Sequence, residues 1–405
     1  MGGVSMEWKE VTLGDLCEIS SSKRIFAKEY QSDGVPFYRG KEIIAKQKGN
    51  AISNELFISR NRYEEIKARY GVPQQRELLL TSVGTLGVPY VIKEEEFYFK
   101  DGNLTWFRHF NGLDVEYLYY WFLSPYGKNE INTKAIGSTQ KALTIDSLSK
   151  FDIKIPANLD DQRRIASILS SLDRKIELNN KINDDLEEMA QAIFKNWFVD
   201  FEPFKDSKFV DSELGMIPEG WKVVAFDNIL KVTTTKTGKE GIPEYSVTNT
   251  GIHPRDEKFT KNLSKSSAKN KLIRKGNLVF GMSREILNWG IMKEEVGGVS
   301  SAYNVYIVDE KIVNTTYLEC FIAQRMDYFA DLIKPASREG QGVDKALLMK
   351  KIICIPPTEI MDVFLEKYNS IMHLTEIRNE ENSRLSLLRD TLLPRLMSGE
   401  LEFPE

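Results

Sequence analysis

Hydrophobic residues recur along the chain in two kinds of pattern. Short runs rich in β-branched and aromatic residues, bounded by Gly, Asn or Pro, predict strands at residues 77–83, 97–100, 104–108 and 152–155. Between them, residues 115–122 place apolar side chains at helical spacing and predict a short helix. This mixture of elements is typical of an α/β (α+β) domain.

The same patterns occur twice. The shift between matching segments is 213 residues at Trp8 and Trp221 and falls to 200 residues at Ile153 and Ile353, as small differences in loop length would produce. The matching segments, in the same order, are 8–11 with 221–224, 34–38 with 241–245, 78–80 with 278–280 and 153–156 with 353–356. The chain is therefore predicted to be a tandem duplication of one unit.

A long amphipathic helix is predicted after each copy, at about residues 160–198 and 359–397. The predicted apolar seams are Ile165, Ile168, Leu172, Ile182, Leu186, Met189 and Ile193 in the first helix, and Phe364, Ile371, Leu374, Leu385, Leu388 and Leu392 in the second. Polar residues interrupt both seams, at Lys175, Asn179, Lys367, Arg378 and Glu381. Such residues fix the register of paired helices at a cost in stability.

Two helices of this length, each with one narrow apolar stripe, would pack together as an antiparallel coiled coil about 60 Å long. The duplicated chain would then be pseudo-twofold symmetric. The alternative is that each helix lies against its own globular domain. The predicted division is a globular domain at 1–156, a helical region at 157–200, a linker at 201–218, a second globular domain at 219–356 and a second helical region at 357–405.

Composition excludes several classes of protein. The 405 residues contain no apolar run near the ~20 residues that a membrane helix needs. The polar first ten residues do not resemble a signal peptide. Cys17, Cys320 and Cys354 lie far apart, as do the three histidines, which argues against a disulfide framework and a zinc site. We expect a cytoplasmic protein that binds no metal.

Charge is unevenly distributed. A net charge of -4 argues against a nucleic-acid binder when taken alone. However, residues 236–275 contain ten Lys or Arg against four acids, and residues 38–76 contain nine against four. Acidic residues gather instead at 177–188 and 376–381. A single charged run often marks only a solvated face, but two basic stretches at similar places in a duplicated chain indicate two surfaces for an anionic partner.

Signatures of catalysis are missing from the sequence. There is no Gly-x-x-x-x-Gly-Lys-Ser/Thr phosphate loop, no Gly-x-Ser-x-Gly elbow and no His-Glu-x-x-His helix. Residues 355–358 lack the Asn and the aromatic residue of the Asn-Pro-Pro-aromatic loop of amino-methyltransferases. Glu65 and Lys67 match only a fragment of nuclease motifs, which a surface helix produces by chance. A binding protein is the better interpretation.

Several stretches resemble the specificity (S) subunit of type I restriction-modification systems. Pro156, Asp161, Gln162, Ile165 and Ala166 match the family's Pro-x-x-x-x-Glu-Gln-x-x-Ile-Ala segment, with Asp161 in place of the usual Glu. Residues 193–201, 215–221 and 393–401 are similar to further family stretches, and residues 135–140 to its Gly-Ser/Thr-Gln loop, which 338–341 preserve only in part. The resemblance covers essentially the whole chain, in the family's order of recognition domain, helix, recognition domain and helix.

The resemblance implies a subunit without catalytic activity or a cofactor of its own. Members of the family read double-stranded DNA for two modification subunits, which carry the S-adenosylmethionine site and methylate adenine. When restriction subunits join, the complex is an endonuclease that depends on ATP and Mg²⁺; whether they accompany this chain is open. Each recognition domain reads one half of a split, asymmetric target, and the paired helices serve as a ruler and a docking surface.

Candidate DNA contacts follow from residue chemistry. Arg can bond guanine, Asn and Gln can bond adenine, and Lys, Ser and Thr mainly contact phosphates. In the first domain they are Lys23, Arg24, Tyr38, Arg39, Lys41, Arg76, Ser82, Thr85, Ser138, Thr139, Gln140 and Lys141. In the second they are Lys236, Thr237, Lys239, Asn249, Arg255, Lys258, Ser283, Arg284, Arg338, Gln341 and Lys345. For each of them, an exposed loop side chain that touches nothing is the alternative, and Tyr38 could belong to the core.

Two other classes of function stay open at this point. One is a nuclease with an unrecognised site in a recognition domain, and the other is a coiled-coil adaptor that binds only proteins. A metal-dependent nicking assay with Glu65→Ala as a control would test the first, and a gel shift with random duplex DNA would test the second.

Overall fold

The computed structural model describes residues 6–50, 52, 55–137, 141–255, 263, 266–283, 285–333 and 343–401. The chain forms two compact units, one of residues 1–182 with 377–405 and one of residues 183–376. Each unit contains one globular domain and parts of both long helices. Among the described residues, no helix combines the length and apolar character needed to cross a membrane.

The first globular domain contains strands and short helices up to Pro156, and the first long helix comes directly after it. The strands are β1 (Trp8–Thr12), β2 (Glu18–Ser20), β3 (Tyr30–Gln31), β4 (Val35–Tyr38), β5 (Phe57–Ile58), β6 (Leu78–Thr81), β7 (Pro89–Val91), β8 (Tyr98–Phe99), β9 (Leu104–Arg108) and β10 (Asp152–Pro156). The helices are α1 (Leu13–Leu16), α2 (Gly40–Gln47), α3 (Arg60–Tyr70), α4 (Val115–Leu123), α5 (Pro125–Lys134), α6 (Ile145–Ser149) and the long α7 (Leu159–Phe198).

The main sheet of this domain is antiparallel, with strand order β2-β9-β6-β7. A second sheet has the order β3-β5-β4-β8, in which β4 and β8 run parallel, and β1 pairs with β10. Asp114 begins α4 by accepting hydrogen bonds from the backbone N–H groups of Glu116 and Tyr117, a common N-cap arrangement. The apolar face of α4 packs with one side of the main sheet into a buried core.

The second domain repeats this arrangement. Its strands are β11 (Phe209–Ser212), β12 (Gly215–Pro218), β13 (Lys222–Ala225), β14 (Leu230–Thr233), β15 (Tyr245–Thr248), β16 (Gly251–Pro254), β17 (Lys271–Arg274), β18 (Leu278–Phe280), β19 (Trp289–Ile291), β20 (Val296–Val299), β21 (Asn304–Val308) and β22 (Ile352–Ile355). Its helices are α8 (Phe226–Ile229), α9 (Thr315–Gln324), α10 (Lys345–Lys350) and the long α11 (Thr358–Ser398).

The pairing of strands confirms the duplication. The main sheet of the second domain has the order β14-β21-β18-β19, which matches β2-β9-β6-β7. Lys9 pairs with Ile155 in the first domain, and Lys222 pairs with Ile355 in the second, as the alignment of the repeats requires. The predicted mixed α/β fold in two tandem copies is therefore correct.

Both domains also hold their central helix in the same way. Asn314 caps α9 as Asp114 caps α4, by accepting hydrogen bonds from the backbone N–H groups two and three residues later. Tyr117 on α4 donates a hydrogen bond from its hydroxyl to the carbonyl oxygen of Lys154 at 3.3 Å, and Tyr317 on α9 donates one to that of Cys354 at 2.5 Å. Each helix is thus fixed to the last strand of its domain.

In the first unit, α7 and α11 pair antiparallel. Arg389 Nη1 donates to Asp173 Oδ1 at 2.7 Å, and further along Asn179 Nδ2 donates to Glu381 Oε2 at 2.8 Å and to Asn382 Oδ1 at 2.9 Å. The partner's number falls as the residue number in α7 rises, which requires opposite directions. Asn179 is fully buried, so the polar interruption predicted on this seam is part of the helix interface.

In the second unit, the two helices pack through aromatic and apolar residues. Phe194 and Phe198 of α7 contact Phe364 of α11, and all three lie in the core of the second domain. Helix pairing and packing against the globular domain occur together, so the two arrangements considered from sequence are not exclusive.

Three residues of the predicted seams lie on the outside. Met189, Leu374 and Leu388 are 44–46% exposed. The buried side of α11 includes Ile371 in the second unit and Leu393 in the first, whereas much of the intervening interface is polar. An apolar pattern could not reveal a helix interface that is polar near its middle.

Candidate nucleic-acid interface

In the first domain, several loops lie together at one end of the strands of the main sheet. The strands β2 and β6 end there, and β9 and β7 begin there, because Ser20 pairs with Trp106, Thr81 with Leu104 and Leu80 with Pro89. The end of β4 joins them, since the backbone N–H of Lys100 donates to the carbonyl of Tyr38. We call residues 21–26, 39–41, 82–88, 100–103, 135–137 and 141–142 the first loop edge.

Five of the predicted contacts are exposed on the first loop edge: Lys23, Arg24, Lys41, Thr85 and Lys141. Lys23 lies over the ring of Tyr70, with Nζ 5.2 Å from the ring centroid. Arg24 Nε donates to Asp101 Oδ2 at 2.7 Å, and Lys41 Nζ lies 3.5 Å from Glu42 Oε1. The edge therefore brings together side chains that are far apart in sequence.

Arg39 is held in one orientation on this edge. Its Nη2 and Nε donate to the two carboxylate oxygens of the buried Glu42 at 2.6 and 3.2 Å. Burial acts to raise the pKa of Glu42, but hydrogen bonds and charge from Arg39 outweigh burial and leave the pKa below its ordinary value. The guanidinium is still partly exposed, so it has donors left for a ligand.

Three other predicted contacts in the first domain belong to the scaffold. Ser82 is 2% exposed, and its hydroxyl bonds Thr105 Oγ1 at 2.6 Å. Tyr38 is buried and stacks on Phe97. Arg76 lies before β6, at the opposite edge of the sheet, where Nη2 donates to Asp114 Oδ2 at 3.0 Å. Residue type alone had selected these three residues, and the structure brings none of them to the exposed surface of the first loop edge.

The second domain has an equivalent edge. There β14 and β18 end and β21 begins, since Thr233 pairs with Val305 and Phe280 with Asn304. We call residues 234–239, 281–283, 285–288, 300–303 and 343–345 the second loop edge. Lys236 lies exposed on it, at the position equivalent to Lys23, three residues after the matching strand. The exposed Lys239 and Lys345 lie on the same edge.

The remaining predicted contacts of this domain differ in exposure. Thr237 is half-buried, with its hydroxyl donating to the carbonyl of Ser267 at 2.6 Å, and Asn249 is exposed in the turn of the β15–β16 hairpin. Arg255 is half-buried beside that hairpin and donates to Ser246 Oγ at 2.8 Å. Ser283 is 1% exposed and accepts the backbone N–H of Asn288 at 2.9 Å, so it too belongs to the scaffold.

The other predicted contacts fall in segments beyond the described residues. They are Ser138, Thr139, Gln140, Lys258, Arg284, Arg338 and Gln341. Sequence reasoning did not select Lys271, a half-buried residue that begins β17 beside the second loop edge. It lies within the basic stretch of residues 236–275, where nothing in the sequence distinguished it from the other lysines.

The carboxylate considered for a nuclease site has a basic partner on its own helix. Glu65 Oε2 accepts a hydrogen bond from Arg62 Nη1 at 3.1 Å on the surface of α3. Across the part of the chain that the structure describes, no group of three or more His, Cys, Asp or Glu side chains is arranged to hold a metal ion.

Gln162, part of the segment that opens α7, has a structural role. It is fully buried, and its Oε1 accepts the backbone N–H of Asp114 at 2.8 Å. Its Nε2 donates to the carbonyl oxygens of Gly112 at 3.0 Å and Pro156 at 2.9 Å. One side chain therefore ties the start of the long helix to the cap of α4 and to the end of β10.

Comparison with known sequences gives a consistent result. Residues 6–188 match the family described as the type I restriction modification DNA specificity domain. The specificity subunit of the type I restriction enzyme MjaIX from Methanocaldococcus jannaschii is 27% identical, over 100% of this chain and 96% of its own length. The specificity subunit of the type I restriction enzyme HindI from Haemophilus influenzae is 26% identical, over 64% of this chain and 71% of its own length.

Solved structures share the fold. The S subunit of a type I restriction-modification system from M. genitalium aligns with a TM-score of 0.56 at 13% identity, covering 100% of this chain and 98% of its own. A chain from a structure concerned with the assembly and conformational transition of a type I R-M system aligns with a TM-score of 0.52 at 14% identity, covering 97% and 98%. Residues 6–188 thus match the type I restriction modification DNA specificity domain, and the chain over its whole length is similar to type I restriction enzyme specificity subunits and shares their fold.

Proposed function

We propose that this chain is the DNA-reading subunit of a type I restriction-modification complex, and that its two domains bind the two halves of a split, asymmetric target. The observation that carries the proposal is the pair of equivalent loop edges. Lys23 and Lys236 occupy the same place in the two copies, while most of the surrounding loop residues differ. Equivalent scaffolds with different loops suit a protein that reads two unrelated half-sites.

The chemistry of the edges supports DNA as the ligand. Exposed Lys, Arg, Thr and Asn side chains supply donors for phosphates and for base edges in the major groove. The acidic side chains of residues 184–188 lie on α7, away from both edges in sequence, and would repel phosphates. Attraction is therefore directed to the loops of each domain.

The long helices supply the surface for protein partners in this proposal. In the first unit, Leu178, Ile377 and Leu387 are 49–70% exposed on α7 and α11. In the second unit, Met189 and Val363 are similarly exposed. Exposed apolar side chains on a helix pair are typical of surfaces that another protein covers. We assign them to two modification subunits, and to restriction subunits where these are present.

Catalysis is assigned to those partners. The modification subunits would bind S-adenosylmethionine and methylate adenine, and restriction subunits would use ATP and Mg²⁺. This chain would bind no cofactor. Its contribution would be to select the DNA sequence and to place the partners on it.

Reconstitution tests this function. The full chain, its modification subunits and S-adenosylmethionine are combined with genomic DNA, and methyl transfer is measured with each protein omitted in turn. We expect site-specific adenine methylation only from the complete mixture. Methyl transfer by the chain alone, or the same sites methylated without it, would contradict the proposal.

A further inference from the structure

Lys271 occupies an unusual position for a lysine. It is the first residue of β17, it pairs with Val299 at the start of the turn 300–303, and its Nζ donates to the carbonyl oxygen of Tyr303 at 2.5 Å. This contact directs the ammonium group to the second loop edge. A carbonyl oxygen is a neutral acceptor, so the contact leaves the positive charge uncompensated.

Two further lysines lie close by. Lys236 forms a β-bridge with Lys271, which places the two backbones side by side. Lys345 begins α10, and its charge acts on Lys271: burial first, and the positive charge of Lys345 second, lower the pKa of the Lys271 side chain. Three cations at one edge repel each other, which costs stability unless an anion binds among them.

The carboxylates of this region keep their charge but are held by neutral hydrogen-bond donors rather than by the three lysines. Glu240 accepts hydrogen bonds from Ser266 and Ser267, which hold its pKa at about 2. Glu244 Oε1 accepts from Asn270 Nδ2 at 2.7 Å. Among the residues that the structure describes, no ion pair involves Lys236, Lys271 or Lys345. The cluster thus offers three ammonium groups to a ligand.

We propose that Lys236, Lys271 and Lys345 form a phosphate clamp that holds the backbone of DNA against the second domain. The ligand is a nucleic-acid phosphate rather than a base, because an ammonium group is a compact point charge without the planar fork that reads guanine. The proposal rests on the proposed function and adds an unequal division of labour between the domains.

Among the described residues of the first domain, the positions that match Lys271 and Lys345 carry no lysine. The residue that matches Lys345 is Ile145, and residues 71–74, which match β17 by the same shift of 200, form no strand. Only Lys23, the counterpart of Lys236, is common to both. The clamp would therefore anchor one half of the complex by charge, whatever base sequence lies beneath it.

The test compares Lys271→Met and Lys345→Met with Lys311→Met, in the full chain assembled with its modification subunits. Lys311 is exposed near the end of β21, at the opposite edge of the same sheet. Lys311→Met therefore removes the same charge far from the clamp and controls for the change in net charge. Met keeps the length of the side chain. Lys271→Arg restores the charge, and thermal unfolding checks that each variant folds. Dissociation constants are measured for target and random duplexes between 50 and 200 mM salt.

Each clamp variant should lower the affinity for target DNA and for random DNA by the same factor. The slope of log affinity against log salt should become less steep by about 0.9 per lost phosphate contact. The loss should therefore be about 3.5-fold larger at 50 mM than at 200 mM salt. Lys311→Met should match wild type, and Lys271→Arg should recover most of the affinity.

Three results would overturn the clamp. They are an unchanged salt slope in folded Lys271→Met, a loss confined to target DNA, and tight binding of inorganic phosphate alone that depends on Lys271, which would indicate a small-molecule site. The proposed function fails separately, if the wild-type complex does not prefer target to random duplex.

Discussion

Each recognition domain has its own main sheet, and the two sheets have the same strand order. The domains differ in the element that comes after β4 in the first domain and after the matching residues in the second. In the first domain, β4 leads into α2, which packs on β7. In the second, the matching residues lead into the β15–β16 hairpin, which packs on β19. The parallel pairing before this point is the same, since Phe37 pairs with Tyr98 and Glu244 bridges to Gly298. One scaffold therefore carries a helix in one copy and a hairpin in the other.

This difference shows where the fold tolerates change. The core beneath the sheets requires matched apolar side chains, so Tyr117 and Tyr317 keep the same contacts. Beside the sheet, α2 and the hairpin each supply their own buried residues, Ile43 in one and Val247 in the other, so a helix and a hairpin can occupy matching places. Two domains related in this way should read different base sequences with one overall geometry.

The largest loss of DNA affinity is expected when the length of the spacer between the two half-sites is changed. Lengthening the spacer between the half-sites by one base pair turns one half about 34–36° relative to the other. Tight binding should be lost, because both domains must engage the same face of the duplex. Affinity is measured for spacers one base pair shorter and longer, with an unrelated spacer of native length as the control. Equal affinity for all lengths would show that the domains bind independently.

The next largest effect is expected on the stability of the helix pair. The first unit buries Asn179 in this pair, and the second buries Leu186. Leu186→Asp should destabilise the second unit by at least about 3 kcal/mol, because it buries a carboxylate. Ala192→Asp, at an exposed position of the same helix, is the control and should leave folding and assembly nearly unchanged. Urea unfolding and assembly with modification subunits are the measurements. Wild-type assembly by Leu186→Asp would contradict the paired-helix arrangement.

Variants at two arginines, one in each domain, should change the recognition of different half-sites. Arg39→Ala should weaken discrimination in one half-site only, by about 1–3 kcal/mol if the guanidinium makes a bidentate contact with guanine, and Arg255→Ala should act on the other half. Each variant is tested against every single-base change in both half-sites. If both variants change the same half-site, the assignment of one domain to each half is wrong.

The smallest effect is expected at Arg76, which lies at the opposite edge of the first domain. Arg76→Ala removes a partner of the buried Asp114, but the guanidinium is well exposed, so stability should fall by about 1 kcal/mol or less. DNA affinity at moderate salt should stay close to that of wild type, in contrast to Lys23→Ala. If Arg76→Ala lowers DNA affinity as much as Lys23→Ala does, the DNA interface is not at the first loop edge.

Much of the fold could be predicted from sequence because the repeats were visible. The strand Leu104–Arg108 and the helix Leu159–Phe198 lie close to where the pattern of apolar residues put them. The interior of the helix pair was harder, because Asn179 bonds Glu381 and Asn382, and a hydrophobic pattern carries no information about polar partners.

The candidate site was predicted only in part. Residue type selected Lys23, Lys236 and Arg76 alike, but it does not tell where a side chain lies: Lys23 and Lys236 are exposed on the loop edges, and Arg76 lies at the opposite end of the first sheet. Ser82 and Ser283 looked like donors for phosphate, yet both hydroxyls are buried and hydrogen-bonded within their own domains. Lys271 was not selected because the sequence shows only a basic stretch at 236–275 and not which of its lysines lie beside the loop edge.

The most direct test of the account is a map of the adenines that the complete complex methylates, obtained by single-molecule sequencing of DNA treated with the reconstituted complex. The predicted result is two short, unrelated half-sites whose centres lie about one helical turn, roughly 34 Å, apart and are separated by a spacer of fixed length and free sequence. A continuous target, or a palindrome with identical half-sites, would contradict it.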